Sequence, residues 1–348
     1  MHRIALVLIA RDEARCIQRC LRSAQAWVDE MWVLDTGSRD DTPALARACG
    51  ASVASLDWVD DFSAARNAAL ALTDAPWRLV LDADEWLSGP APVLQLLRQQ
   101  APTFLGLIQV VSRIDGEHSG QHQAPSWLPR VLPKGIEYVG RIHEQPASDL
   151  PRRRIDLQVL HDGYLLAQRA AKGGRNRRLL ELALAAEPDD AYWHYQLGKD
   201  HEIHGRFDDA EVHYARAWPS CPTPAAWRHD LLVRRLFTLK KLARFDQAVQ
   251  LAQDEMAHWP QSPDFFFTLG DLLLELAAQQ PVRAGDLLPM IEASWLRSIE
   301  IGEQPAMPDS VRGRGSWLPA HNLAVLHASL GDRVQAQQWR DRAAQMRG

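Results

Sequence analysis

A chain of 348 residues exceeds one typical domain, so we expect two domains, each with its own hydrophobic core. The net charge of −5 and the pI near 6.2 argue against a nucleic-acid partner. Four cysteines without a Cys-x-x-Cys pair argue against a disulfide scaffold and favour a reducing, cytoplasmic location. No stretch approaches the roughly 20 apolar residues of a membrane span, so we predict no transmembrane segment.

The first 85 residues alternate short β-rich runs with helical patterns, which is typical of a parallel sheet with crossover helices. The run from Ile4 to Ile9 is apolar on both faces, as a strand covered by helices must be. Thr42 followed by Pro43 predicts a helix N-cap and a proline at the first helical position. In chain order we predict strand 4–9, helix 12–26, strand 31–34, a helix from residue 42, strand 52–56, helix 62–72 and strand 77–81.

Beyond Leu87 the pattern loosens, because prolines and glycines interrupt two β-like runs at 105–111 and 155–161. We expect mixed or antiparallel strands and long loops in this segment. Such loops are where an enzyme usually holds its substrate.

From about Leu165 the sequence is helical throughout, with a repeating pattern. Its strongest copy contains Leu197-Gly198, Ala210 and Tyr214, and Pro188 and Pro222 lie 34 residues apart. These offsets match the tetratricopeptide pattern. The tryptophan and tyrosine positions of that pattern carry His194 and His201 instead. Weaker copies follow at irregular spacing, and we predict four irregular helix pairs.

Acidic residues follow two of the predicted strands. Asp35 ends the second strand, and Asp82 and Asp84 come directly after the fourth. Ligands of open α/β sheets bind in the crevice beyond the carboxyl ends of the strands. Two carboxylates separated by one residue can reach a single hard divalent cation, whose shell is usually completed by substrate phosphates. The sequence therefore predicts an enzyme that uses a nucleotide diphosphate.

Five segments in order resemble the motifs of family 2 glycosyltransferases, which have the A-type nucleotide-diphospho-sugar transferase fold. The segments are 9–13 (Ile-Ala-Arg-Asp-Glu), 33–42 (Val-Leu-Asp-Thr-Gly-Ser-Arg-Asp-Asp-Thr), 61–67 (Asp-Phe-Ser-Ala-Ala-Arg-Asn), 81–85 (Leu-Asp-Ala-Asp-Glu) and 140–144 (Gly-Arg-Ile-His-Glu). The family usually has asparagine at the position of Asp12. The resemblance implies a Rossmann-like α/β catalytic domain with a mostly parallel sheet over residues 1–165. An all-α tetratricopeptide-like solenoid over 166–348 would follow it.

The resemblance also implies a donor site. Asp35 is similar to the carboxylate that accepts from the base or ribose, although it could instead cap a turn. Arg66 would place its guanidinium against the nucleotide, or form an ordinary salt bridge. Arg11 and Glu13 fall in the first nucleotide-binding segment. The donor is expected to be a nucleotide sugar, with uridine as the base by family habit.

The metal and the catalytic base come from the same resemblance. Asp84 is the expected direct ligand of Mn²⁺ or Mg²⁺, and Asp82 is expected as a second ligand or as a ribose or water-mediated contact. His161, in the segment 161–164 (His-Asp-Gly-Tyr), is a further metal ligand in this interpretation. Members of the family invert the anomeric centre, which requires a general base. Glu144 is the first candidate for the base, with His143 beside it; alternatively, the pair holds a loop together.

Three hypotheses for the function follow. The first is a metal-dependent inverting hexosyl- or N-acetylhexosaminyltransferase whose helical array recruits a protein or peptide acceptor. The second keeps the same chemistry but has a lipopolysaccharide-core or lipid-linked glycan as acceptor, with peripheral membrane contact. The third is a tetratricopeptide scaffold with an inactive sugar-nucleotide domain, although the retained acids and Arg66 argue against it. The sequence is compatible with a homo-oligomer.

Overall fold

The computed structural model describes residues 1–115, 121–162, 166–222, 225 and 227–347. It divides into two compact units, Met1–Ala183 and Leu184–Gly348. The first unit is an α/β domain and the second is helical, so the predicted fold class is confirmed. The domain boundary predicted at residue 165 stays a prediction.

An eight-stranded sheet forms the centre of the first unit. Its strands and those of a small second sheet are β1 Ile4–Ala10, β2 Glu30–Asp35, β3 Ser52–Ser55, β4 Trp77–Val80, β5 Glu85–Leu87, β6 Leu105–Asp115, β7 Gln121–Pro133, β8 Glu137–Val139, β9 Gln145–Ala147 and β10 Arg152–His161. The strand order of the large sheet is β3-β2-β1-β4-β7-β6-β10-β5. Strands β8 and β9 pair separately.

One half of the sheet is parallel and the other half is mixed. Strand β1 lies between β2 and β4, and β2 pairs with β3, all in parallel. The carboxyl ends of these strands therefore meet at one edge, as the sequence predicted. Strand β7 runs antiparallel to β4 and β6, and β10 is antiparallel to β5. The predicted mixed strands beyond Leu87 are confirmed.

Helices cover both faces of the parallel half. Those of the first unit are α1 Ile17–Ala24, α2 Thr42–Ala48, α3 Phe62–Leu70, α4 Pro92–Leu97 and most of α5 Leu166–Ala186. Along β1, Leu6 and Leu8 pack in one hydrophobic cluster with α1, whereas Ala5 and Val7 pack in another with α3. Strand β1 is thus apolar on both faces because each face has its own layer of helix.

The first predicted helix is shorter than the periodicity indicated. Helix α1 begins at Ile17, not at residue 12. The backbone N–H groups of Asp12 and Glu13 donate to the hydroxyls of Ser38 and Thr42, at 2.9 and 2.7 Å, so they are bonded outside a helix. Because its hydroxyl is used in this way, Thr42 does not cap α2, which begins at Thr42 itself.

The second unit contains four helical hairpins, as predicted, within the residues the structure describes. Its helices are α6 Ala191–Ile203, α7 Phe207–Ser220, α8 Arg228–Lys241, α9 Phe245–Glu255, α10 Pro263–Gln279, α11 Ala284–Ile301, α12 Trp317–Ser329 and α13 Arg333–Arg347. Short 3₁₀ helices lie at Met256–His258 and Pro281–Arg283. Each hairpin joins its two helices by a short connection, the helical counterpart of a β-hairpin. No helix in the described part of the chain is long and apolar enough to cross a membrane.

Two hairpins are closed by a glycine under an aromatic ring. A Cβ atom added to Gly198 would lie 2.5 Å from Cδ1 of Tyr214, and one added to Gly270 would lie 2.6 Å from Cδ1 of Trp295. Both rings are fully buried. Small residues at these two positions therefore let the paired helices approach around an aromatic wedge.

We predict that Gly270→Ala lowers the free energy of unfolding by about 1–3 kcal/mol, because the new methyl group overpacks the buried Trp295 ring. Chemical denaturation followed by circular dichroism measures the change.

The matched control is Gly285→Ala in α11, where nothing lies within 4 Å of the added Cβ. Alanine should there raise stability by up to about 1 kcal/mol through helix propensity. Equal effects at both positions would contradict the packing argument.

Candidate active site

A pocket of about 310 Å³ lies at the carboxyl ends of the parallel strands. The turn after β4, the end of β10 and the loop before β9 meet there with the first turn of α3. The pocket contains eight of the nine site residues predicted from the sequence, namely Arg11, Glu13, Arg66, Asp82, Asp84, His143, Glu144 and His161. Their roles stay predictions, but the structure brings these residues together.

Asp35 is the ninth, and the structure does not place it on the pocket wall. Its buried carboxylate accepts from the backbone N–H groups of Gly37 and Ser38 at 3.2–3.3 Å, and so it closes the turn after β2. The neighbouring Thr36 does line the pocket. The geometry favours the turn interpretation, and contact with the donor nucleotide stays a prediction.

The residue that replaces the usual asparagine has a backbone reason to be acidic or amidic. Asp12 has φ of 55°, a left-handed conformation that asparagine and aspartate adopt more readily than most residues. Its Oδ1 accepts from the N–H of Arg39 at 2.7 Å. Asp12 therefore preserves a turn that asparagine could also form, and it joins the loops after β1 and β2.

Arg66 lies under the pocket and connects two of the predicted acids. Its Nη2 donates to Asp82 at 2.6 Å and its Nε donates to Glu144 at 2.5 Å. The residue is only 7% exposed, and its Nη1 has no hydrogen-bond partner among the described residues. The guanidinium therefore fixes the two carboxylates, and its contact with the donor nucleotide stays a prediction.

Arg130, on β7, supports the acidic turn of the site and was not among the residues predicted from the sequence. Its Nη2 donates to both Asp82 and Glu85 at 2.7 Å, and the residue is buried. The only signal in the sequence is a lone arginine beside the apolar pair 131–132 in a predicted β-rich region. Its partners depend on the pairing of β7 with β4, which the sequence does not specify.

These contacts set the charges of the acidic turn. Burial alone would raise the pKa of Asp82, but Arg130 and Arg66 outweigh it and hold that pKa well below its usual range. For Glu85, burial and the neighbouring Asp82 outweigh Arg130 and raise the pKa to about 7. Asp82 is therefore a charged anchor, whereas Glu85 changes charge near neutral pH.

Asp84 and His161 form a separate pair that faces the pocket. Oδ1 of Asp84 lies 3.5 Å from Nε2 of His161, and β-sheet pairing places His161 opposite Glu85. Burial would lower the pKa of His161, but its hydrogen bond to Asp84 and the charges of Asp84, Glu85 and Asp82 together outweigh burial, so the pKa is raised. Asp162 holds the end of β10 through ion pairs with Arg15 and Arg19 at 3.2 and 2.5 Å. Residues 163 and 164 of the predicted segment lie outside the described residues.

The donor set fits a divalent cation in part. A carboxylate beside an imidazole suits Mn²⁺ better than Mg²⁺, which prefers oxygen ligands. Among the described residues, no three histidine, cysteine or acidic side chains converge closely enough to hold a metal by themselves. Asp84 and His161 could supply two ligands, and the substrate and water would supply the others. Each oxygen of Asp82 already accepts from an arginine. This favours a ribose or water-mediated contact for Asp82 over direct ligation of the metal.

Glu144 follows a residue with strained backbone. His143 has φ of 54°, and a non-glycine residue there costs energy that the surrounding structure must offset. The loop is tied to α3, because the N–H of Phe62 donates to the carbonyl of Arg141 at 2.9 Å. Glu144 is therefore held by Arg66 and by its own loop at the edge of the pocket.

An aromatic and basic wall completes the pocket. Trp58 and Phe62 pack edge to face, with ring centroids 4.9 Å apart, and both line the cavity. Arg175 of α5 lies over the Phe62 ring, 5.1 Å from its centroid, and also lines the cavity. Arg175 lies in the helix that the sequence pattern assigned to the repeats, and the structure places it in the pocket wall beside the predicted site residues.

Comparisons with known proteins agree with this geometry. The model of the family described as glycosyl transferase family 2 matches residues 5–142. The succinoglycan biosynthesis protein ExoU of Rhizobium meliloti is 34% identical over 257 residues, which cover 71% of this chain and 69% of ExoU. A TPR repeat-containing protein of Synechococcus elongatus is 40% identical over 218 residues, covering 57% of this chain and 52% of that protein.

The SPbeta prophage-derived glycosyltransferase SunS of Bacillus subtilis is 28% identical over 218 residues, covering 59% of this chain and 50% of SunS. The chain thus spans about half the length of the Synechococcus and Bacillus relatives.

We predict that Arg130→Met lowers the free energy of unfolding by about 3–5 kcal/mol at about pH 8, because it leaves Asp82 and Glu85 without a shared counter-charge. The loss should shrink at about pH 5.5. The folded pKa of Glu85 lies above its ordinary value of 4.5, so the protonated carboxyl stabilises the folded chain. This stabilisation is lost as pH rises through about 7. Urea denaturation at both pH values measures the difference.

Arg3→Met is the control, because Arg3 pairs with Glu30 at the surface with 57% of its side chain exposed. That change should cost less than about 1 kcal/mol at either pH. An Arg130 variant with the same stability loss at both pH values would contradict the charge assignment.

Proposed function

Because the chain belongs to glycosyltransferase family 2, we propose that it transfers a hexosyl or N-acetylhexosaminyl group from a uridine-diphosphate donor to a polypeptide acceptor, with inversion. The observation that carries this proposal is the convergence of Asp84, His161 and Glu144 on one pocket at the strand ends. A metal-ligand pair and a separate carboxylate are the two parts that such a displacement requires.

The donor would occupy the side of the pocket formed by the strand ends. Trp58 and Phe62 offer ring faces to the base, and Arg11 and Arg175 offer positive charge to the diphosphate. Asp84 and His161 would hold the divalent cation. When bound, that cation would neutralise the charge that develops on the departing nucleotide.

Glu144 would act as the general base. Arg66 bonds its Oε1, which fixes the carboxylate and leaves Oε2 as the atom that would take the proton of the acceptor nucleophile. The nucleophile then bonds to the anomeric carbon while the bond to the diphosphate oxygen breaks. Arg66 also bonds Asp82, so the base and the acidic turn keep a constant relation through this displacement.

The helical unit supports a polypeptide acceptor. Its hairpins match the tetratricopeptide pattern, and repeats of this kind present extended surfaces to peptides. The four cysteines are buried and unpaired, which fits an enzyme of a reducing, cytoplasmic compartment. A second candidate acceptor is a glycan, because the relative ExoU is named for succinoglycan biosynthesis.

We expect uridine diphosphate at about 100 times its dissociation constant to stabilise the protein by about 2.7 kcal/mol, and to require Mn²⁺ to do so. Asp84→Asn should abolish the part of the melting shift that depends on Mn²⁺, since it removes a charged ligand. Thermal unfolding with and without Mn²⁺, within each variant, measures this part separately from any loss of basal stability.

Asp149→Asn, at an exposed position of the same unit, should respond to Mn²⁺ as the unaltered protein does. If the Asp84 variant keeps its full response, the metal assignment is wrong. A panel of nucleotide diphosphates tests the choice of uridine in the same assay.

Labelled sugar nucleotides should label a species in a host-cell lysate, and Glu144→Gln should reduce that labelling by about 10²- to 10⁴-fold while keeping the donor-dependent melting shift. Protease digestion should release the label if the acceptor is a polypeptide.

Label that resists protease but is lost to glycan-cleaving enzymes would favour the glycan acceptor. Normal labelling by the Glu144→Gln variant would exclude Glu144 as the general base. No labelling with any sugar nucleotide, and no melting shift, would instead favour an inactive domain on a repeat scaffold.

A further inference from the structure

The helical unit contains a polar pocket that lies outside the proposed transfer site. It is formed by side chains of α6, α8 and α10 together with the connection between α11 and α12. Its volume is about 140 Å³. Pockets for drug-sized ligands usually measure about 300–1,000 Å³, so this one suits the end of a single side chain rather than a nucleotide sugar.

Acidic groups exceed basic groups in this pocket. Four carboxylates line it, and two arginines face them; the six residues are Glu202, Asp230, Asp264, Asp309, Arg234 and Arg314. Lys199 adds one more positive charge from behind, 3.3 Å from Asp230. The carboxylates therefore outnumber the basic groups even with this lysine included, which favours a positively charged ligand.

Asp264 presents an unsatisfied oxygen. The residue is 1% exposed, and its Oδ1 accepts from Arg314 at 3.0 Å and from the N–H of Val311 at 3.1 Å. Its Oδ2 is buried with no partner among the described residues. A buried carboxylate oxygen without a donor is costly, so a ligand that donates a hydrogen bond to it would gain more than at the surface.

Asp230 is asymmetric in the same way. Its Oδ2 accepts from Tyr195 at 2.5 Å and from Arg234 at 2.7 Å. Nζ of Lys199 lies 3.3 Å from the same oxygen, so the donors to this carboxylate are concentrated on Oδ2. Arg234 also donates to Glu202 at 2.8 Å, so its Nε and Nη1 are both engaged by acids already present.

His229 adds a hydrogen-bond donor beside these acids. Its Nε2 lies 2.6 Å from Oγ of Ser262, which already accepts from the N–H of Phe265. Within the described part of the chain, Nε2 is the only acceptor for the serine hydroxyl proton, so we assign the imidazole proton to Nδ1. Nδ1 is buried and has no partner among the described residues. This N–H requires an acceptor, such as a peptide carbonyl, which simple amines and metal cations lack.

Asp309 closes the pocket from the connection between α11 and α12. Asp309 is partly exposed, and desolvation at the pocket wall, followed by the charge of Asp230, raises its pKa. Its φ of 57° is a conformation that asparagine tolerates as well as aspartate does. Asp309→Asn should therefore remove the charge and leave the backbone as it is.

We propose that this pocket binds a lysine or arginine side chain of a polypeptide, with the cation against Asp264 and Asp309 and a neighbouring carbonyl on Nδ1 of His229. The preference for a cation depends only on the pocket. That the polypeptide is the acceptor of sugar transfer rests on the proposed function.

Fluorescence anisotropy of the full chain with short labelled glycine–serine peptides tests the proposal without donor or metal. A peptide with one central arginine or lysine should bind about tenfold or more tightly than the same peptide with citrulline or glutamate. Asp264→Asn and Asp309→Asn should each remove most of this preference. Asp246→Asn, exposed on α9, should leave it unchanged.

Equal binding of arginine and citrulline peptides, or no binding of any peptide, would overturn the proposal. Spermidine that competes as well as the arginine peptide would overturn the assignment to a polypeptide. If the Asp309→Asn variant labels a lysate acceptor at the normal rate, the pocket does not recruit the acceptor of sugar transfer. Loss of transfer through Glu144→Gln does not affect the binding assay, so the two proposals can fail independently.

Discussion

Two buried arginines hold the site of the first unit together. Arg66 and Arg130 both donate to Asp82, and each also bonds a second acid, Glu144 and Glu85 respectively. Removal of charges from water is costly, and the arrangement is stable only because every carboxylate in it meets a guanidinium. The network ties α3, β7 and the turn after β4 to one another, and the pocket is built on that frame.

The frame explains why the two aspartates of the turn behave differently. Asp82 points toward the arginines and has its charge compensated inside the protein. Asp84 points toward His161 and the pocket, where its compensation can come from a bound cation. Alternate residues of an extended strand would share one face, but residues 83 and 84 form a turn, so this segment supplies both a structural and a ligand-facing carboxylate.

The sequence predicted the parts of this site that depend on local pattern. Strand β1, apolar on both faces, indicated a covered parallel sheet, and the acids after β2 and β4 indicated the edge where ligands bind. It did not predict Arg130, because the partners of that residue follow from the pairing of β7 with β4, about 50 residues apart. The inward role of Arg66 was missed for a similar reason, since Glu144 is distant in sequence. Helix α1 is shortened by hydrogen bonds that Asp12 and Glu13 donate to Ser38 and Thr42, 26 and 29 residues away, which periodicity alone could not indicate.

Helix α5 has a consequence for how such a protein could have been assembled. By sequence it reads as the beginning of the repeats, yet Leu166–Ala183 belongs to the α/β unit and Arg175 forms part of its pocket. A gene fusion that joined a helical array directly after β10 would lack the part of the pocket wall that Arg175 supplies. The repeats from α6 onward can be exchanged, lengthened or lost in evolution without this penalty, whereas α5 must be inherited with the sheet.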